Sequence, residues 1–374
     1  MKIVIAIDKF KGCATSKQLS HAIAEEIENH LPSAQIVTVP IADGGDGTLH
    51  AIKEIVGVGA KECSVNVTAP LQQLPQVIAQ YIIVDDTAYM DLATASGLAL
   101  VPECRRDVMK ASTLGTGEMI LHAINNGARN IVLGLGGSAT CDAGMGILSA
   151  LGFRFLDKHG DILYPCGANL IHVDKIDSNN VGQRVLSACY TLLSDVDNPL
   201  YGNTGAACVF APQKGASQQQ VEQLDKGLRH FATLLPRNIA HQSGAGAAGG
   251  VTAGMMAMLN ATIKPGIDTL LELAHFDEII SDADLVFTGE GRIDDQTMHG
   301  KAPAGVLKAA QQKGIPVIAL CGSVAPGTDT SKMGFQQVVA VTPAGTPIEE
   351  ALRRDVALRN VAHATRRIIS KIKD

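Results

Sequence analysis

Near the amino terminus, Ile3-Val4-Ile5-Ala6-Ile7 is an apolar run without polar alternation. A strand written this way hides both faces, which places it in a parallel sheet covered by helices on either side. The next residues supply one such helix. Ser16 to His30 carries Leu19, Ile23 and Ile27 at helical spacing, with Ser16 as the expected N-cap and Pro32 just beyond the end. Ile36-Val37-Thr38-Val39 then reads as a second strand, completing a βαβ unit. The last hundred residues follow the same alternation. Ala283 to Phe287, Ile315 to Leu320 and Val338 to Val341 read as short buried strands, with helices expected over Ala302 to Lys313 and Glu349 to Lys371. Parallel strands with intervening helices imply a doubly wound α/β sheet with right-handed crossovers. The chain is 46% hydrophobic but only 3% aromatic, with no Trp and 38 glycines, so its interior must be small aliphatic side chains packed against close backbone.

The middle of the chain is mixed α/β. Ile82 to Asp85 and Ala88 to Leu92 read as a hairpin, Gly115 to Asn126 as a helix, Ile131 to Leu133 and Tyr190 to Leu193 as strands, and Ser217 to Leu235 as a helix. A glycine-rich run, Gly244 to Gly250, and a Met-rich stretch, Met255 to Leu259, follow, with no fixed-period repeat anywhere. At 374 residues the chain exceeds one ordinary core. The most economical partition is a discontinuous Rossmann-like parallel-sheet domain from residues 1–66 and 263–374, with 67–262 inserted as a mixed α/β domain and the active site expected in a cleft between them.

The formal net charge is -6, from 37 acids and 31 bases, and this leaves no basic excess to neutralise a nucleic-acid backbone. No apolar run reaches the roughly 18 residues of a membrane span, and no signal peptide is evident. The eight cysteines contain no C-x-x-C pair, which fits reduced thiols and a cytoplasmic setting.

Chemistry-bearing residues gather at the ends of the apolar runs, where open α/β sheets bind ligands. Ala42-Asp43-Gly44-Gly45-Asp46-Gly47-Thr48 follows the second strand; its glycines let backbone amides approach an anion, and its carboxylates suit a metal or a hydroxyl, although the same letters also spell a turn with an Asp cap. Strand Ile131 to Leu133 runs into Gly134-Leu135-Gly136-Gly137-Ser138-Ala139-Thr140, a glycine loop ahead of a helix. Gly134, Gly136 and Ala139 formally match a dinucleotide fingerprint with Asp157 as its ribose acid, but the segment lies mid-chain and Asp142 would repel a diphosphate. The Gly244, Gly246 and Gly249 match lacks a preceding strand and reads equally well as tight packing. No Walker loop, kinase H-R-D loop, nucleophile elbow or metal-spaced His set is present.

Asp195-Val196-Asp197-Asn198-Pro199 follows strand Tyr190 to Leu193, a spacing that suits a hydroxyl base and a magnesium ligand or, alternatively, an Asx-turn. Thr288-Gly289-Glu290-Gly291-Arg292-Ile293-Asp294 follows another strand and leads to Gly300-Lys301, an anion and metal constellation. Lys11 and Lys214 are further candidates to neutralise phosphate, each weighed against an ordinary surface lysine. Glycine loops, carboxylates and a few cations at strand ends make up the inventory of phosphoryl transfer. A nicotinamide-dependent dehydrogenase and a non-catalytic organic-anion-binding protein are the competing classes.

These ordered motifs, together with Phe10-Lys11-Gly12, Ala95-Ser96-Gly97-Leu98, Gly115-Thr116-Gly117-Glu118 and Pro212-Gln213-Lys214-Gly215-Ala216, resemble those of the bacterial class I glycerate kinases nearly end to end. The resemblance implies ATP-dependent, magnesium-assisted phosphorylation of D-glycerate in organic-acid catabolism, at the 2-hydroxyl to give 2-phosphoglycerate, with the 3-hydroxyl as the alternative. Two loops depart from the family pattern: Ile7-Asp8-Lys9 stands where Pro-Asp-Ser is usual, and Cys141-Asp142-Ala143-Gly144 where Asn-Asp-Gly-Gly is usual. On strand-end position, Asp195 is expected to take the hydroxyl proton and Asp197, Glu290 and Asp294 to hold magnesium. Lys11, Arg292 and Lys301 are expected to meet carboxylate or phosphate charge, and Asp43 and Asp46 to contact hydroxyl or metal. Gly44, Gly45, Gly136, Gly137, Ser138, Thr140 and Lys214 are expected to bind substrate or phosphate.

Overall fold

The computed structural model describes residues 1–374 except Asp43, Gly45, Asp46, His299 and Asp374. Thirteen strands are seen among them: β1 (Lys2–Ile5), β2 (Gln35–Thr38), β3 (Lys61–Val67), β4 (Val77–Val84), β5 (Thr87–Asp91), β6 (Asn130–Gly134), β7 (Arg154–Leu156), β8 (Lys175–Asp177), β9 (Cys189–Leu193), β10 (Thr262–Lys264), β11 (Leu285–Ile293), β12 (Val317–Val324) and β13 (Gln337–Ala340). The chain divides into two compact units: residues 1–43, 50–57 and 265–374 form the first, and residues 44–49 and 58–264 the second. No helix among the described residues is long and apolar enough to cross a membrane.

The first unit is built on a five-stranded, all-parallel sheet ordered β13-β12-β11-β1-β2. Counted within the unit this is 2-1-3-4-5, the second common doubly wound order, and not the 3-2-1-4-5 of a dinucleotide-binding Rossmann sheet. The unbroken apolar run of the first strand explains the layering. Ile3, Ile5 and Ile7 pack with Leu19, Ile23 and Ile27 of the helix Ser16–His30 and with Val361, Ile368 and Ile369 of the helix Arg354–Lys373. Val4 and Ala6 point the other way, into Ile267, Phe276 and Val306 of the helices covering the opposite face.

The Ser16–His30 helix is capped by Thr15, not Ser16. Thr15 Oγ1 accepts from the Gln18 amide at 3.2 Å and Gln18 Oε1 accepts from the Thr15 amide at 3.1 Å, a complete capping box, while Ser16 Oγ donates to the Ile7 carbonyl at 2.6 Å. The helix expected from Glu349 to Lys371 is two, Ile348–Ala351 and Arg354–Lys373.

The second unit holds a six-stranded mixed sheet ordered β10-β9-β6-β5-β4-β3 and a small β7-β8 ribbon. β4 runs antiparallel to both β3 and β5, whereas β5, β6, β9 and β10 are mutually parallel. The expected hairpin is β4-β5, closed through Asp85 at φ 54°. β3, all but the last residue of which falls in the first segment of the sequence partition, pairs with β4 and belongs to this second sheet.

The glycine-rich run is a packing feature of this unit. Ala248, Gly249 and Gly250 have positive φ and interrupt the helix Ala247–Leu259. A Cβ on Gly249 would collide with the Thr140 carbonyl and the Cys141 backbone. Asp157, the ribose acid of the nicotinamide reading, accepts from the His159 and Asp161 amides and merely closes a surface turn.

Candidate active site

In the first unit the chain winds from β1 to β2 in one direction, while β11, β12 and β13 extend in the other. Loops leaving β1 and β11 therefore diverge, which opens a crevice at the carboxyl ends of the strands. A cavity of ≈ 1010 Å³ lies there. It brings together five residues expected from the sequence: Lys11, Glu290, Arg292, Asp294 and Lys301. Lys11 rides on a tight turn in which the Phe10 and Ala14 amides and carbonyls exchange hydrogen bonds at 2.9 and 3.0 Å, with the Phe10 ring buried as the anchor. Arg292 is an exposed position near the carboxyl end of β11. Among the described residues neither side chain has a hydrogen-bond or ion-pair partner, so both charges face the cavity unneutralised. Close approach of backbone keeps this floor open. A Cβ on Gly322 of β12 would stand 2.5 Å from the Gly291 carbonyl oxygen of β11.

Glu290, Asp294 and Lys301 form a closed group. The Lys301 ammonium lies 3.2 Å from Asp294 Oδ1 and 3.6 Å from Glu290 Oε2, and Thr297 Oγ1 donates to Glu290 Oε1 at 2.6 Å. Burial pushes the Glu290 carboxyl above its usual range, against the opposing pull of Thr297 and Lys301. Burial also works against the Lys301 ammonium, but the two carboxylates outweigh it and leave its pKa raised. Glu290 and Asp294 offer the hard oxygen donors that magnesium takes. Their counter-ion, however, is already the ammonium, and no group of three or more His, Cys, Asp or Glu side chains among the described residues gathers to hold a metal. A magnesium ion held by this pair would share the two carboxylates with Lys301.

In the second unit the parallel strands β5, β6 and β9 end side by side, and three further candidate segments meet at those ends. The Gly136–Thr140 loop leaves β6 with Gly136 half-buried and Gly137 exposed at φ 71°. Its shape is held by Ser96–Leu98: the Ala139 amide donates to the Ser96 carbonyl at 2.9 Å, and the Leu98 amide donates to the Gly137 carbonyl at 2.8 Å. Lys214 supports it from beneath. Its buried ammonium donates to Ser138 Oγ at 2.8 Å and to the Thr140 carbonyl at 2.7 Å, and burial pushes its pKa down to about 8. Thr140 is also fully buried. Thus Gly136 and Gly137 form the open part of the loop, whereas Lys214 and Thr140 lie under it.

Asp195 is half-buried and Asp197 exposed in the segment after β9, whose Asn198 carbonyl accepts from the Gly246 amide at 2.9 Å. Gly44 belongs to this unit, and the nearby Leu49 amide donates to Asp91 Oδ2 at 3.3 Å. Asp43, Gly45 and Asp46 lie outside the described residues.

Asp8, Asp91 and Asp142 are not among the sequence candidates. Asp8 is buried and lines the cavity of the first unit, and Asp91 ends β5 beside the Gly136–Thr140 loop. A carboxylate just after an apolar strand is the signal that could have marked both. Asp142 does not open a helix with its charge toward a ligand. It is fully buried, accepting from the Thr113 amide and hydroxyl at 2.8 Å and from the Gly144 and Gly146 amides at 3.2 Å, and the helix begins at Met145. Burial raises its carboxyl despite those donors.

A family model described as the glycerate kinase family matches residues 3–373. The chain belongs to the glycerate kinase family. It is 40% identical to a glycerate kinase of Bacillus cereus over 98% of this chain and 97% of that one. It is 38% identical to the glycerate 2-kinase of Escherichia coli over 100% and 98%. Among solved structures, a Salmonella typhimurium LT2 chain designated glycerate kinase 2 superposes with a TM-score of 0.84 at 37% identity, covering 100% of this chain and 98% of its own. Family membership thus extends across both units and includes every strand-end segment described above.

Proposed function

We propose that this protein transfers the γ-phosphoryl group of ATP to the 2-hydroxyl of D-glycerate, giving 2-phosphoglycerate and ADP. The observation that carries the reading is the placement of Lys11 and Arg292, two unpaired cations, in a strand-end cavity of a chain matched to the glycerate kinase family throughout. Phosphoryl transfer asks mainly for positioning and for positive charge where the phosphate oxygens develop charge. The open amides of Gly136 and Gly137 add neutral donors for an anionic group. Asp195, half-buried at a strand end, is assigned as acceptor of the hydroxyl proton. Magnesium supplies charge neutralisation when it accompanies ATP. It keeps several waters and phosphate oxygens as ligands, so the single exposed carboxylate of Asp197 suffices in kind as the protein donor. Supporting the attack at the 2-hydroxyl is the 38% identity to the Escherichia coli glycerate 2-kinase. A soluble cytoplasmic setting agrees with the charge and cysteine pattern of the sequence.

Incubation with D-glycerate, ATP and magnesium, followed by phosphorus NMR, tests the reading. A 2-phosphoglycerate resonance is expected; a 3-phosphoglycerate resonance would move the attack to the other hydroxyl, and no phosphorylated product would overturn the proposal. In the same assay Asp195→Asn should lower kcat by about 10²- to 10⁴-fold with little change in the glycerate KM, and near-normal turnover removes Asp195 from the role.

A further inference from the structure

The cavity of the first unit is far larger than glycerate requires, and its wall changes character along the sheet. Toward β1 and β11 it is charged: Lys11, Arg292 and Lys301 stand among the carboxylates of Asp8, Glu290 and Asp294. Toward β12 and β13 it carries no charge: Ser323, Thr342 and Thr346 line it beside Val341 and Ala344, which follow β13, and beside Ile348 and Leu352, from the short helix Ile348–Ala351 and the residue after it. From β1 to β13 is three strand spacings, about 14 Å at roughly 4.8 Å each. Ile348 and Leu352 are four residues apart, hence on one helical face, and are 70% and 45% exposed. Two large apolar side chains left uncovered together at the mouth of a cavity mark a surface that a ligand covers. A three-carbon hydroxy acid has neither the length nor the apolar face to use it. A nucleotide has both, with a flat base at one end and an anionic chain at the other. The position is the β1/β11 switch point of a doubly wound sheet, where such ligands bind.

We propose that this cavity is the nucleotide site, with the adenine ring against Val341, Ile348 and Leu352 and the phosphates running toward Lys11 and Arg292. Naming adenine rests on the ATP reading above; the division into an uncharged end and a charged end does not. Cys13 helps close the rim, its Sγ lying 3.9 Å from the Ala351 carbonyl oxygen.

The test is calorimetric titration of the full chain with ADP in the absence of magnesium. Ile348→Ser combined with Leu352→Ser should weaken ADP at least tenfold and raise the ATP KM by a similar factor, with the glycerate KM unchanged. Both positions are exposed, so the fold is expected to survive, and Leu186→Ser, an exposed leucine in the other unit, serves as a control with wild-type affinity. ADP affinity within twofold of wild type in the double variant overturns the site, as does the absence of ADP binding to the wild type. Loss of ADP affinity in a protein that does not phosphorylate glycerate keeps the site and overturns the glycerate reading. Normal glycerate phosphorylation with unaltered ADP affinity does the reverse.

Discussion

Replacing Lys214 by Met removes a buried ammonium while keeping most of its length and apolar stem. With its pKa lowered from the ordinary 10.5 to about 8, the charged form is disfavoured in the folded protein. Below pH 8 folded and unfolded chains are both protonated and the penalty is complete. Between 8 and 10.5 the unfolded chain still holds a proton that the folded chain has shed, so wild-type stability climbs with pH. Integrating over those two values gives a penalty of about 3 kcal/mol at pH 7, falling to about 1 kcal/mol at pH 9.5. Against its removal stands the loss of two charge-assisted hydrogen bonds, to Ser138 Oγ and the Thr140 carbonyl, at roughly 1.5–3 kcal/mol each. Overall stability at pH 7 should therefore fall by about 0–3 kcal/mol. The difference between variant and wild type, however, should move by about 2 kcal/mol across this pH range. Urea unfolding followed by circular dichroism at several pH values reads this directly: at an m-value of about 2–3 kcal/mol/M, the gap between midpoints shifts by roughly 0.7–1 M. Groups common to both proteins cancel in the comparison. A gap independent of pH would refute the reasoning, because it would mean that Lys214 is not desolvated beneath its loop. Untethering the Gly136–Thr140 loop should meanwhile lower turnover at least tenfold even where stability is retained.

Other parts of the structure give comparably direct tests. Gly322→Ala forces a methyl group against the Gly291 carbonyl, and should cost about 1–3 kcal/mol in thermal or urea unfolding and raise the ATP KM; an unchanged midpoint would show that β11 and β12 part without strain. Lys301→Met leaves Glu290 and Asp294 without their cation, so the Glu290 carboxyl should rise further. A group raised in the folded state contributes stability below its unfolded pKa and loses it as pH rises, so the variant should be relatively more stable near pH 4.5 than at pH 7, and a pH-independent difference from wild type would count against the pair. Cys13 lines the nucleotide cavity and its thiol is raised by burial, so ADP should slow its alkylation by N-ethylmaleimide while exposed Cys104 and Cys189 react unchanged.

How far the sequence can be read follows from which interactions are local. The run Ile3 to Ile7 declares a strand buried on both faces without reference to any other residue, and its two sets of neighbours above and below the sheet are the consequence. The helix cap expected at Ser16 falls one residue earlier because Thr15 and Ser16 are chemically equivalent caps; only the Ile7 carbonyl, which takes the Ser16 hydroxyl, decides between them. Likewise the letters around Asp142 are those of a phosphate loop, but the Thr113 amide and hydroxyl that turn its carboxylate inward come from elsewhere in the fold.

Strand order is the least local property of all, and the candidate site depends on it. Nothing between Leu285 and Val341 states that β11 pairs with β1, on the side away from β2. Once it does, the loops after β1 and β11 must part. Lys11 and Arg292, 281 positions apart by subtraction of their numbers, then share one cavity. The uncharged half of that cavity is hidden from a sequence reading for a related reason. The sequence reading places Leu352 inside one long carboxyl-terminal helix, Glu349 to Lys371, with Ile348 just before it. The chain instead ends a short helix at Ala351 and starts another at Arg354, which leaves both side chains in the open beside β13. Core periodicity and a ligand-facing wall are written in the same letters, and only the break between the two helices separates them.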